Sequence, residues 1–486
     1  MRELKVLSYV LIFLSIVYQS QQSVNDAIIE VLHHWTYPDY LYPSQQARTV
    51  ATNQQLFIPE NVAILDTDYY FSNVTYTKRV FVTTPQFRNG IPATVSEVSR
   101  ELNSRGEYLL RPFPSWDESG AASCDAARSV YRIHIDKCGL LWVLDTGRIN
   151  TFTNPSRGCP PKLLIYDLRN GDTLLLRYEF PAGVINDRSN LITLVTESYR
   201  DDCQDSIAYI ADVNAYGLVV FDLPNRNSWR VEHNYMYPSQ HAGNLNVAGV
   251  TFDLMDGCFG LALGPGDAYN RRLYFHSLAS FRESWIPVGV LKNTTIVQNS
   301  DLLRTQIVLS EEARTGQSSL EVMTNDGILL FADLPKLAIM CWNSNTPFKR
   351  QNIHVAYQHD ENLQFISGMK LKRDTALVIT TSRLQNYIAG RLVYPDVKYR
   401  MIIIDDVHNL LKGSPCKDPY SSSRPSAGVP SNRPRPSGQG QYDTDNRYES
   451  GSSSSQQGPP SRVKPQGNAP VWSNNKSTTK TKPSSY

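Results

Sequence analysis

The sequence predicts an all-β fold, a six-bladed β-propeller closed by an N-terminal strand and followed by a disordered C-terminal tail. Three observations carry that expectation. Between Asp26 and Cys416, short runs of Val, Ile, Leu, Tyr and Phe alternate with polar residues and stop at Asp-Gly, Asn-Gly or Pro, while helical periodicity is scarce. One layout returns along the chain. "IDKCGLLWVLDTG" at 135–147 is echoed by "YIADVNAYGLVVFDLP" at 209–224, "DLMDGCFGLALGP" at 253–265, "VMTNDGILLFADLP" at 322–335 and, without the glycine, "KLKRDTALVITTS" at 370–382. Finally, the strands between turn signals fall into sets of about four, the size of a propeller blade.

The N-terminus is set apart first. Arg2 and Lys5 precede a 6–18 apolar run too short to span a bilayer comfortably, and small and polar residues follow at 20–23. Residues 1–22 therefore read as a secretory signal peptide and 23–416 as the propeller. Within it, one set of strands lies in 61–113, with "RVFVTT" at 79–84 its clearest member. The next is 129–135, 140–146, 162–168 and 173–180. A third runs 190–197, 206–212, 217–223 and 228–231, and a fourth 247–253, 258–264, 272–279 and 285–291. A fifth spans 306–343, and a sixth begins at Gln364 and continues through 402–405. "IIEVLHHW" at 28–35 is placed beside the last C-terminal strands, because a ring with an open sheet edge invites aggregation. Each sheet buries its faces only against neighbouring sheets, which is why the unit recurs. A pair of two-sheet sandwiches is the competing all-β arrangement.

Residues 417–486 are rich in Ser, Pro, Gly and Gln and poor in aliphatics, so they cannot bury enough apolar surface to offset ordering entropy and are read as disordered. They carry a net charge of +6, which leaves −4 on residues 1–416. The body thus has no charge-based case for nucleic acid, and no later apolar run is long enough for a membrane span. Tyr442, Tyr448, Tyr486 and the tail lysines suit cross-linking to extracellular matrix proteins; the alternative is a solvated linker with no partner. Seven cysteines, with no C-x-x-C and no zinc spacing, are expected to oxidise where close together, leaving one thiol. Asn73, Asn293 and Asn475 head N-x-S/T sequons.

Six stretches, "RVFVTTPQFRNGIPATV" at 79–95, "SVYRIHIDKCGLLWVLDTG" at 129–147, "NVAGVTFD" at 246–253, "LYFHSLAS" at 273–280, "DGILLF" at 326–331 and "CWN" at 341–343, together resemble the insect yellow and major royal jelly protein family. That resemblance implies a secreted six-bladed propeller, expected as a monomer. Six of the cysteine positions recur in the family's pattern, so it implies that Cys258 is the free thiol; the bridges it suggests are Cys138–Cys159, Cys124–Cys203 and Cys341–Cys416.

No G-x-S-x-G, H-E-x-x-H, P-loop or G-x-G-x-x-G occurs, and no cofactor or metal is expected. His134 with Asp136, Asp66 with Asp68, and Asp145 read as blade and turn groups rather than acid/base couples. Ligands of propellers sit where the innermost strands converge, here expected near Asn190, Asn246 and Gln364. Amine-binding members of the resembled family present Phe-x-Thr and then Asn-Arg-Phe there; the matching residues are Phe365, Ile366 and Ser367, then Ser382, Arg383 and Leu384. The resemblance thus implies a small aromatic amine or catechol ligand. Leu384 lacks the π-face that holds a cation and Ser382 lacks the reach of an amide, which weakens amine capture. The function expected is a secreted, pigmentation-related, non-catalytic protein of cuticle, eggshell or other extracellular matrix; the alternative is a cofactor-free dopachrome tautomerase. The Asn and Gln of the tail are not organised into the nitrogen-rich repeats of a storage protein.

Overall fold

The computed structural model describes residues 29–119, 123–393 and 395–417; the expected signal segment, the tail beyond Lys417 and the Asn475 sequon lie outside them. Six four-stranded antiparallel sheets make the blades. Blade 1 is Asp66–Phe71, Lys78–Thr83, Val95–Leu102 and Tyr108–Pro112, and blade 2 is Val130–Ile135, Leu140–Asp145, Lys162–Asp167 and Thr173–Glu179. Blade 3 is Leu191–Glu197, Ile207–Asp212, Gly217–Asp222 and Asn227–Glu232. Blade 4 is Cys258–Leu263, Arg272–Ser277, Ser284–Pro287 and Val308–Leu309, and blade 5 is Glu321–Met323, Ile328–Asp333, Ala338–Asn343 and Ile353–Gln358. Blade 6 combines Ile366–Lys372, Ala376–Thr381 and Tyr399–Ile404 with Ile29–Trp35 as its outer strand. The first strand of each blade touches that of the next, and the sixth returns to the first.

The recurring turns explain why these residues form hairpins. In blade 2 the Asp136 carboxylate accepts the backbone N–H of Cys138 (2.9 Å) and Leu140 (3.0 Å) and the indole N–H of Trp142 (2.9 Å). Gly139 takes φ +76° there, and a Cβ on it would lie 2.8 Å from the Tyr70 ring of blade 1. The flanking apolar residues then fill the spaces between blades: Trp142, Leu144, Leu163 and Ile165 pack with Ala208, Ile210, Val219 and Phe221 of blade 3. Burial, rather than any single bond, holds neighbouring sheets together.

Charged groups join the inner strands. Asp66 accepts Lys370 Nζ (2.9 Å) and the N–H of Ile133, whereas Asp68 accepts Lys372 Nζ (2.6 Å) and the N–H of Ile135. Asp145 pairs with Lys162 at 2.7 Å, both fully buried, and accepts three N–H groups at the entry to blade 2. These acids and Asp136 are thus committed to blade joints and turns. His134 is pushed down to about 3, chiefly by burial and then by Lys372.

The bounds of blade 4 and two of the three bridges are corrected. Residues 247–253 do not start blade 4: Asn244–Val247 and Val250–Asp253 form a separate hairpin, and the blade begins at Cys258. The 285–291 segment leaves its strand at Pro287 for a helical turn, and Val308–Leu309 closes blade 4 rather than opening blade 5. The bridges are Cys124–Cys159 and Cys138–Cys203 instead of Cys138–Cys159 and Cys124–Cys203; Cys341–Cys416 forms, and Cys258 is a buried free thiol. Alternation of strand direction gives the reason. Cys124 precedes the first strand of blade 2 and Cys159 its third, which start at the same end. Cys138 lies in the first turn of blade 2 and Cys203 in the first turn of blade 3, both at the opposite end. The exchanged pairing would have to span the length of a blade, beyond the ~7 Å that a disulfide allows between Cα atoms.

Candidate functional site

At the end where the innermost strands begin, a cavity of about 330 Å³ lies on the propeller axis. Its inner wall comes from the strand entries: Leu65 before blade 1, Tyr131 and Arg132 in blade 2, Asn190 and Ile192 at blade 3, Asp256 and Phe259 at blade 4, and Phe365 before blade 6. Three excursions complete it. Thr151, Phe152 and Pro155 come from the long connection in blade 2, Asp253 and Leu254 from the extra hairpin, and Leu384 and Ile388 from the helix Leu384–Ile388. That helix packs on the strand Val250–Asp253.

Aromatic faces and a few polar groups share this space. Phe87 meets Tyr131 edge-on at 5.2 Å and Phe152 at 4.8 Å, and Phe365 approaches Phe252 at 6.2 Å. Phe365 has φ +51°, and Arg383, which starts the helix, has φ +42°. The Tyr131 hydroxyl is 2.9 Å from that of Thr151; burial pushes it up to about 12, so it stays protonated. The Asn190 side chain accepts the Thr146 hydroxyl at 2.7 Å, and its backbone N–H donates to Asp212.

Asp256 is the group whose chemistry stands out. Burial among protein atoms pushes its carboxyl up to about 7, although hydrogen bonding from Asn214 and the charge of Arg132 pull the other way. Asn214 Nδ2 donates to Asp256 Oδ1 at 3.1 Å. Part of Asp256 remains accessible from the cavity. Arg132 is 2% exposed, lies over the Phe259 ring at 4.8 Å, and donates to the carbonyl of Ser367 (3.1 and 3.0 Å) and to the Thr193 hydroxyl (3.2 Å). A carboxyl poised near neutrality, a guanidinium and aromatic walls in one enclosed space can orient a flat ring and exchange a proton with it.

Of the residues expected from sequence, Phe365, Leu384 and Asn190 line the cavity. Ser367 and Ser382 are buried beside it: Ser367 acts through its carbonyl, and the Ser382 hydroxyl has no hydrogen-bond partner among the described residues. Asn246 is displaced from the channel because it sits on the extra hairpin, exposed and bonded to Thr251. Tyr131, Arg132, Asp256 and Phe259 were not singled out from sequence. Asn73 and Asn293 are exposed; Asn293 Oδ1 caps a short helix by accepting two N–H groups, which leaves its Nδ2 clear of that role.

Two groups among the described residues have metal-like spacing. Asp136 with Cys138 and Cys203 is not available, since both sulfurs are in a disulfide. His276 with Glu283 and Glu321 is fully buried and shares its carboxylate oxygen with Arg314 at 2.5 Å, an arrangement of balanced charges.

Residues 128–416 match the model of the major royal jelly protein family. The chain belongs to that family. The major royal jelly protein fold in this chain is accompanied by likeness to named relatives. It is 29% identical over 411 residues to a dopaminechrome tautomerase of Drosophila melanogaster, covering 82% of this chain and 86% of that protein. It is 32% identical over 406 residues to protein yellow of Drosophila subobscura, covering 82% of this chain and 68% of that one. Among solved structures, virginiamycin B lyase from Staphylococcus aureus matches at 11% identity and a TM-score of 0.37, over 66% of this chain and 78% of that one.

Proposed function

We propose that this protein is exported and acts in pigment chemistry, its channel cavity taking up a flat catechol- or indole-derived ring on which Asp256 shifts a proton, in the manner of an aminochrome tautomerase. The observation that carries this reading is Asp256, held near neutrality inside an aromatic cavity. In such an isomerisation the base breaks a ring C–H bond, the electron pair moves toward a quinone oxygen, and that oxygen gains a proton. Nothing is oxidised or reduced overall, so no cofactor is needed. Tyr131 and Thr151 supply hydroxyl donors in the same cavity. The relative named dopaminechrome tautomerase supports the reaction class. Export is supported by the leader-like residues 1–22, three disulfides, and the lack among the described residues of any helix long and apolar enough to cross a membrane. Glycans at Asn73 and Asn293 fit their exposure.

The test follows loss of dopachrome absorbance with purified protein, a heat-inactivated control and Asp256→Asn. The wild type is expected to exceed the control, and the variant to lose ~10²- to 10⁴-fold in rate. A wild-type rate equal to the control overturns the catalytic reading. A second, non-catalytic reading, anchorage in cuticle or eggshell matrix, is favoured by the basic tyrosine- and lysine-bearing sequence after Cys416. It predicts ring binding without turnover.

A further inference from the structure

Arg132 carries a full positive charge into the centre of the molecule, 2% exposed, yet among the described residues no carboxylate oxygen lies within 4.0 Å of it. Buried charges are otherwise paired, because an uncompensated one costs several kcal/mol. Cations at the blade joints are paired with acids, the fully buried Lys162 with Asp145 and the partly buried Lys370 and Lys372 with Asp66 and Asp68, whereas Lys398, 1% exposed, has no acid within 4.0 Å among the described residues and lies over the Tyr37 ring. Arg132 instead spends three of its hydrogen bonds on the Ser367 carbonyl and the Thr193 hydroxyl, both neutral. A guanidinium has five N–H groups, so two remain. Asp66 is already committed, with both oxygens on Lys370. Asp256 is the other acid whose charge reaches Arg132, but its oxygens lie beyond 4.0 Å of the guanidinium and Oδ1 accepts from Asn214 instead.

We infer that Arg132 is the anchor for a ligand carboxylate, so that this cavity selects a flat aromatic ring bearing a carboxylate over its decarboxylated, purely amine-derived counterpart. The inference rests on the ring-binding reading above and adds the substrate class. Arg132 lines the cavity, its stacking on Phe259 fixes the plane of its fork, and a carboxylate there would complete the ion pair that the protein leaves open. A ring carrying only an ammonium would leave Arg132 without a counter-charge and would have to turn to Asp253 and Asp256 on the other part of the wall. That changes the amine preference implied by resemblance: Leu384 removes a π-face for a cation, and Arg132 repels one.

Isothermal titration of the whole protein with indole-2-carboxylate and with indole tests this without relying on turnover. The carboxylate is expected to bind about 10- to 100-fold more tightly, the worth of one charge-assisted pair. Arg132→Gln should bring the two affinities within about 3-fold of each other, whereas Arg132→Lys, which keeps the charge, should retain part of the preference. Circular dichroism establishes that each variant is folded. If Arg132→Gln does not fold, the wild-type ratio and Arg132→Lys decide. Indole and its carboxylate binding equally to the wild type overturns the inference and leaves ring binding standing. Neither ligand binding overturns both. A wild-type preference that survives intact in folded Arg132→Gln overturns the role of Arg132.

Discussion

Asp256 owes its chemistry to its neighbours, and they make its pH behaviour predictable. A base works ionised, so if Asp256 abstracts the proton, kcat/KM should rise with pH through about 7 and then level off. Two contacts oppose the effect of burial, the hydrogen bond from Asn214 and the charge of Arg132. Asn214→Ala removes the first, so the midpoint of the profile should move to higher pH while the plateau at alkaline pH persists. A profile that stays in place in this variant, measured by dopachrome decay between pH 5 and 9, would assign the titration to another group. The same residue shows why part of the site was hidden in the sequence. "DLMDG" has the look of a hairpin turn, in which an acid before the glycine draws no notice. The strand before it belongs instead to an excursion, so the Asp-Gly step is the entrance to blade 4. Arg132 offered a different signal, a lone charge between Tyr131 and Ile133 in an apolar strand, which burial makes costly wherever it is not used.

Between elements, the joint of blades 4 and 5 illustrates how charge is used away from the cavity. His276 Nδ1 stands 3.1 Å from Glu283 and 3.2 Å from Glu321, and its Nε2 stands 3.1 Å from the Ser318 carbonyl. Burial alone would lower this imidazole; the Glu321 and Glu283 carboxylates outweigh it and push it up to about 9. Because that lies above the unfolded value of 6.5, the stabilisation is complete below about pH 6.5 and is lost as pH rises through 9. Glu283, raised by burial and by Glu321, acts in the same sense, since its ionised form is disfavoured in the fold. The melting temperature should therefore fall between pH 6.5 and 9. Glu321→Gln removes the strongest support of His276, costs about 3 kcal/mol at pH 6 and flattens that fall. Calorimetry across the range measures both; an unchanged slope in the variant would deny the joint its pH dependence. The blades themselves were legible from strand alternation and turn residues, as were the strand entries that place Asn190 and Phe365. What alternation does not encode is an insertion of the same composition, and the extra hairpin at Asn244–Asp253 has a strand pattern of its own.

For the whole molecule, everything at the axis depends on the circle being closed. The chain's first described strand pairs with its last, from Ile29 opposite Ile404 to Trp35 opposite Tyr399. It then crosses to blade 1, where the Trp35 indole donates to the Tyr108 carbonyl at 2.8 Å and Leu41 and Asp39 bond the backbone of Leu110. One segment thus completes blade 6 and clamps it to blade 1, while the Cys341–Cys416 bridge ties blade 5 to the segment after blade 6. The cavity draws walls from blades 1 to 4 and 6, so loosening this closure should disturb binding without touching a lining residue. Glu30 and Val31 are consecutive and in regular register with Ile403 and Ile402. Successive N–H groups along a strand point to opposite sides, so Glu30→Pro with Val31→Pro must remove a ladder donor whichever residue provides it. The double variant should lose about 3 kcal/mol of stability and expose the edge of Tyr399–Ile404 to other copies. Size-exclusion chromatography with light scattering should then show concentration-dependent association, and thermal unfolding a lower midpoint. A monomer with an unchanged midpoint would mean that the propeller is held shut by blade packing and the disulfide alone, with the N-terminal strand an ornament to the ring rather than its clasp.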